Sequence, residues 1–262
     1  MQQPEKKREF MYRKNCLAEV ICQLRFPTIL SIETEQPSEF QEAIRAEYPR
    51  YLVNTERIPS PQGITEVKNH AFISADGRYK INISQNFISI STMTYTDWKS
   101  FAERLDEPLG HFISIYKPAF FERVGIRYMN AVSRKKLGCE ELFWRDLIAE
   151  PYLGPLALSA TEESKVRKCG VDFEINLENG AIARLHAGPG LLRRAIIKDG
   201  KAQMIQENES KFLLDIDVFV ATQTPLQKTV DVLNSIHLHA NEIFGNAITD
   251  TLHDAMEPVY KE

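Results

Sequence analysis

The sequence predicts an α+β protein: two tandem β-α-β-β-β-α units, with antiparallel sheets and helices packed on one face, over residues 1–118 and 119–262. Three observations predict it. Turn dipeptides at Asp76-Gly77, Gln85-Asn86 and Asn179-Gly180 separate β-rich runs, as in antiparallel hairpins. A long stretch with apolar residues at helical spacing closes each half. A short echo opens each half: Leu24-Arg25-Phe26 is matched by Ile126-Arg127-Tyr128, 102 positions further on. The echo reads as an ancient duplication.

The first half begins with a polar, basic stretch over residues 1–14. "LAEVICQLRF" (17–26) is β-rich and largely apolar, as a central strand would be, and Pro27 ends it. Ser38 is placed to cap a helix in which Phe40, Ile44 and Tyr48 recur every four residues, closed by Pro49. "VNTERIPSPQG" (53–63) holds two prolines and a glycine and reads as a loop. A sheet then starts at "ITEVKNHAFIS". Beyond the Asp76-Gly77 turn, Tyr79, Ile81 and Ile83 alternate along one face, followed by Ile88 and Ile90. Thr96 or Asp97 caps the next helix, whose stripe runs through Trp98, Phe101, Leu105, Leu109, Phe112 and Ile115 to Tyr116. Pro108 inside it predicts a kink or break.

The second half repeats this order. "FERVGIRYMNAVS" is a strand and "CEELFWRDLIAEP" a helix. Strands flank Asn179-Gly180, and a further hairpin is expected at Asp199-Gly200. "KFLLDIDVFV" is a strand. One long helix over residues 225–258 then presents Val230, Leu233, Ile236, Ala240, Phe244, Ile248, Leu252 and Ala255 on one face.

Composition narrows the function. Of 262 residues, 43% are hydrophobic and 26% charged, as in ordinary globular chains. A net charge of −4 speaks against a protein that coats nucleic acid, although "RKK" (134–136) and "LLRR" (191–194) are locally basic. No apolar run approaches the roughly 20 residues a membrane span needs, and no apolar segment follows the basic N-terminus as in a signal peptide. Cys16, Cys22, Cys139 and Cys169 form no CxxC pair, and their spacings match no zinc pattern. Reduced thiols in a cytoplasm follow, with Cys22 packed as a small hydrophobe.

Four residues are candidates for ligand binding. Val20, Cys22, Leu24 and Phe26 share one face of their strand, so Arg25 lies on the other with Ile21 and Gln23. Arg25 and Arg127, on equivalent strands, could grip an anion bidentately; the plainer reading is salt bridges, for example to Glu19 or Glu122. Asn130 is in line with Ile126 and Tyr128, and once buried it must bond a loop or a ligand. His186 precedes Gly188 and Gly190 in "LHAGPGLL", where a bend or bulge explains the glycines better than a phosphate loop does. His237 and His239 do not share a helix face, and Asp250, His253 and Asp254 read as a solvated cluster, so no metal is predicted. No GxSxG, HExxH or kinase-type pattern occurs, and no cofactor is implied.

"LAEVICQLRFP", "PSEFQEAIRAEYP", "RVGIRYMNAV" and "HANEIFGNAITDTLHDAM" together resemble a sporadically distributed family of bacterial and archaeal proteins of about this length, defined by sequence alone and without an assigned activity. The likeness runs nearly end to end and is most specific over residues 17–26, 37–49 and 123–132. Patchy distribution implies a link to mobile or phage-defence genes; the family supplies no catalytic residues to transfer. The expected function is a non-catalytic binding or regulatory protein of the bacterial cytoplasm. It would recognise a protein or a small anionic ligand at the sheet face or in the groove between units. Two alternatives are an enzyme acting on an anionic small molecule through Arg25, Arg127, Asn130 and His186, and a nucleic-acid-binding saddle like that of the TATA-binding protein.

Overall fold

Period-two alternation of apolar and polar residues sets the longest stretches of the chain into strands. The computed structural model describes residues 10–60, 63–198 and 201–260. Strands β1 (Phe10–Tyr12) and β2 (Leu17–Arg25) precede two short helices, α1 (Leu30–Thr34) and α2 (Ser38–Ile44). Strands β3 (Arg50–Ser60), β4 (Gly63–Ile73), β5 (Tyr79–Ser84) and β6 (Phe87–Thr92) lead into helix α3 (Trp98–Tyr116). Strand β7 (Arg123–Val132) opens the second half, with one-turn helices α4 (Arg134–Leu137) and α5 (Trp144–Leu147) after it. Strands β8 (Val171–Asn176), β9 (Ala181–Lys198) and β10 (Lys201–Val220), helices α6 (Thr229–Ala247) and α7 (Asp250–Ala255), and strand β11 (Pro258–Tyr260) complete the chain.

Nine strands form one antiparallel sheet in the order β3-β4-β5-β6-β2-β7-β10-β9-β8, and β1 pairs with β11 in a small second sheet. The two expected sheets are therefore one. Strands β2 and β7, each apolar on one face, lie side by side from Leu17↔Asn130 to Arg25↔Arg123 and join the halves.

All helices pack on one face of that sheet. Phe101, Leu105, Leu109 and Phe112 of α3 and Leu233, Ile236 and Ala240 of α6 share a core with Val20, Cys22 and Leu24 of β2, Ile126 of β7, and Ile216 and Val218 of β10. Each fully buried Leu, Ile or Phe contributes about 1.5–3 kcal/mol by leaving water. A second cluster at one end packs Trp144, Leu147, Leu153 and Met256 on Val132, Phe212 and Leu214 of the same face. Among the described residues no helix covers the opposite face. None is long and apolar enough to cross a membrane.

Local signals resolve as follows. Asp97 caps α3, accepting from the Ser100 amide at 3.0 Å. Gly77 and Gly180 take the positive φ (74° each) that their turns require. Asp199-Gly200 lies outside the described residues, but Lys198 and Lys201 on either side of it pair. Cys22 is fully buried, and burial raises its thiol pKa to about 12.

Five expectations are corrected. Residues 53–63 fall mostly in the β3–β4 hairpin, because Pro59 sits on an edge strand, where its missing N–H costs no ladder bond. Helix α3 runs through Pro108 without a break. The helix expected over residues 139–151 shrinks to one turn; Pro151 and Pro155 follow it in 3-10 turns. The long C-terminal helix stops at Ala247: Ile248 is extended (φ −110°, ψ 152°) and bridges to Ile148, while Thr249 caps α7. Val230, at the start of α6, is exposed rather than packed. Finally, β9 runs through Gly188 and Gly190 in unbroken register. A Cβ at Gly188 would stand 2.5 Å from the Cys169 carbonyl oxygen, so close backbone approach, not a bend, demands glycine there.

Candidate functional site

The uncovered sheet face is built by the polar members of the same alternating strands. On β10, Asp215 and Asp217 interrupt Leu214, Ile216 and Val218, and they point away from the helices. Arg123 and Arg127 do the same on β7, Arg184 and His186 on β9, and Asp172 and Glu174 on β8. Cross-strand contacts assemble these into two polar rows. In one, Arg127 binds Asp215, with Nε 2.7 Å from Oδ1; His186 is the backbone partner of Asp215 and of Asp172, and its Nδ1 lies 2.7 Å from Asp172 Oδ1. In the other, Arg123 Nη2 reaches both oxygens of Asp217 at 2.7 and 2.8 Å, and Arg184 binds Glu174. The hydrogen bonds that Arg127 donates to Asp215 raise its pKa further.

Phe219 lies under these charges and is 3% exposed. The guanidinium carbons of Arg123 and Arg184 stand 4.4 and 4.9 Å from its ring centroid, so two cations cap one aromatic ring. Glycine at position 125 leaves room for this: a Cβ there would sit 2.4 Å from Arg123 Nη1.

Three of the four candidate residues share this face. Arg127 and His186 belong to one charged row. Arg25, on the neighbouring β2, is exposed and donates from Nε to Gln23 Oε1 at 3.2 Å. Asn130 does not join them. It is 5% exposed on the helix-covered face, and its Nδ2 donates to Leu214 O at 3.1 Å, so it braces the sheet itself. The salt bridges suggested to Glu19 or Glu122 are not those formed; Asp215 is the partner of Arg127. Sequence reading missed Asp172, Glu174, Asp215, Asp217 and Phe219. The alternating acids of "LLDIDVFV" were the signal, but it gains meaning only once β10 is known to lie beside β7.

On the covered face the groove between the two long helices is filled. Trp98 of α3 stacks on His237 of α6 with centroids 4.5 Å apart and planes 11° apart, and its indole donates to Asn234 at 2.8 Å. A neutral ring with its proton on Nδ1 satisfies the network: it donates to Tyr128 Oη at 2.7 Å and accepts from Asn241 at 3.0 Å, while the Tyr128 ring meets Tyr95 edge-on with centroids 5.8 Å apart. Burial lowers the His237 pKa to about 4, so the ring is neutral near pH 7. His237 is thus occupied as a helix clasp. Among the described residues no cluster of three His, Cys, Asp or Glu side chains is arranged to hold a metal ion. No protein-family model matches the chain, and a search of curated proteins finds no match.

Proposed function

We propose that this chain is a non-catalytic binding protein of the bacterial cytoplasm whose open sheet face recognises an acidic group on a partner protein. The observation that carries this reading is the pair Arg25 and Arg123, direct backbone partners at one end of the β2–β7 seam. Like charges opposite one another destabilise a sheet. Asp217 answers Arg123, but among the described residues Arg25 has no carboxylate within ion-pair distance. An arriving carboxylate would find a guanidinium with unused donors and bind it bidentately. The paired charges around it give the site a fixed setting, and Arg127 and His186 extend the same strip.

The halves read as copies of one unit. Support comes from β2 and β7 meeting antiparallel at the centre, each followed by short helices, by strands that start at a sheet edge and work inward (four in the first half, three in the second), and by a 19-residue helix. The resemblance to the sporadic bacterial and archaeal family, with its implied link to mobile or phage-defence genes, belongs to this reading too. An enzyme built on the four candidates is less well supported, since Asn130 is turned to the core. A nucleic-acid saddle would set phosphates against Asp172, Glu174, Asp215 and Asp217.

A pull-down from the native host with the full chain tests the proposal. Wild type should retain a partner, less of it as salt rises. Arg25→Glu should lose it, and Lys99→Glu on the helix side should keep it. Retention unchanged by Arg25→Glu, or no partner with wild type, overturns the proposal.

A further inference from the structure

A second basic feature lies at the other end of β2. Leu17 and Arg25 are eight residues apart along the strand, roughly 26 Å at strand rise. There, a cavity of about 330 Å³ opens between the start of β2, the end of β7, α4 and β10. Two of its walls are irregular. The β2–β7 register slips between Leu17 and Glu19, and the β9–β10 register slips between Gln206 and Ser210. Such bulges re-aim side chains and are common beside binding sites.

Three lysines, Lys135, Lys136 and Lys211, line this one hollow. The carboxylates nearby are committed. Glu209 accepts from the Ser133 hydroxyl at 2.7 and 2.8 Å and from the Lys135 amide at 3.3 Å, and Glu207 binds Lys211. Lys136 reaches the Asn15 carbonyl at 2.9 Å. Among the described residues the Lys135 ammonium has no partner, and Lys211 is drawn largely out of water, its side chain 12% exposed. Three cations against two carboxylates in one recess leave an excess positive charge that an anion would neutralise. Leu17 and Ala131 add an apolar wall for a carbon skeleton.

We propose that this cavity binds a small organic dianion, a phosphomonoester or a dicarboxylate, with Lys135 and Lys211 on its charged group. The volume lies at the lower end for ligand cavities, which suits a compact metabolite rather than a polymer. This assigns a role to Lys135 and Lys136 of the basic run, whose Arg134 is instead turned to Glu163 and Trp144, and it does not depend on the open face.

Calorimetric titration of the full chain at low salt, with glycerol 3-phosphate in one arm and succinate in the other, tests it. At least one arm should bind saturably, and the stronger arm names the source of the dianion. Lys135 is exposed, so Lys135→Gln should fold normally, and it should weaken binding about tenfold, the value of one charge-assisted contact. Arg25→Gln should leave this binding unchanged. Binding in neither arm, or equal binding by Lys135→Gln, overturns the proposal and leaves the open-face reading untouched.

Discussion

Acid should loosen the clasp between the two long helices through His237. Its pKa falls from the ordinary 6.5 to about 4 on folding because burial disfavours the charged ring. The folded state therefore binds fewer protons than the unfolded state between those values. Stability is fully present above 6.5 and is lost as pH falls toward 4. At 1.36 kcal/mol per pKa unit, the whole shift is worth up to about 3 kcal/mol, of which about 2 kcal/mol is lost between pH 7 and pH 5. Urea unfolding of wild type and His237→Phe at both pH values measures it. Phenylalanine keeps the stack on Trp98 but cannot titrate, so the variant should lose about 1 kcal/mol at pH 7 through its hydrogen bonds. Near pH 5 it should match or exceed wild type. His70, also held below its ordinary pKa mainly by burial, titrates in both proteins and cancels in the difference. A difference between wild type and variant that stays constant from pH 7 to pH 5 refutes the argument.

The charged rows and the close-approach glycines give two more predictions. A double-mutant cycle on Arg123→Met and Asp217→Asn, with side chains 18% and 23% exposed, should yield a coupling of about 1–2 kcal/mol. The same cycle on Arg57→Met and Glu66→Gln, 75% and 57% exposed, should yield under about 0.5 kcal/mol. Gly188→Ala should cost about 1–3 kcal/mol in chemical denaturation, since the new methyl meets the Cys169 carbonyl. Gly110→Ala, inside α3 with nothing within 4 Å of its Cβ position, should instead stabilise by roughly 0.5–1 kcal/mol.

What could be read in advance was local. Alternation placed β2 and β7 and sorted their faces correctly, because burial on one face leaves a period of two in the residues themselves. Turn dipeptides placed the hairpins at Gly77 and Gly180, because positive φ leaves a chemical mark. Tertiary decisions left none. Ile248 continues a helical stripe in sequence, yet Ile148 draws it into a bridge. Pro59 breaks a strand pattern, yet an edge position accepts it. The open face follows the same rule. Arg127 was visible as a candidate, but its partner Asp215 is 88 residues away, and nothing in either segment names the other.

The seam between β2 and β7 also sets a timetable for synthesis. β2 lies in the middle of the finished sheet but emerges early. The partner for one of its edges, β6, comes at residues 87–92, and the other edge waits for residues 123–132. At translation speeds of about 5–20 residues per second, β2 spends roughly 5–20 s with that second edge bare. A nascent chain stalled in this window presents half a sheet with an unprotected backbone rim, so neighbouring ribosomes on one message would hold matching rims close together. Slow codons would be tolerated far better after Val132 than between Thr92 and Arg123.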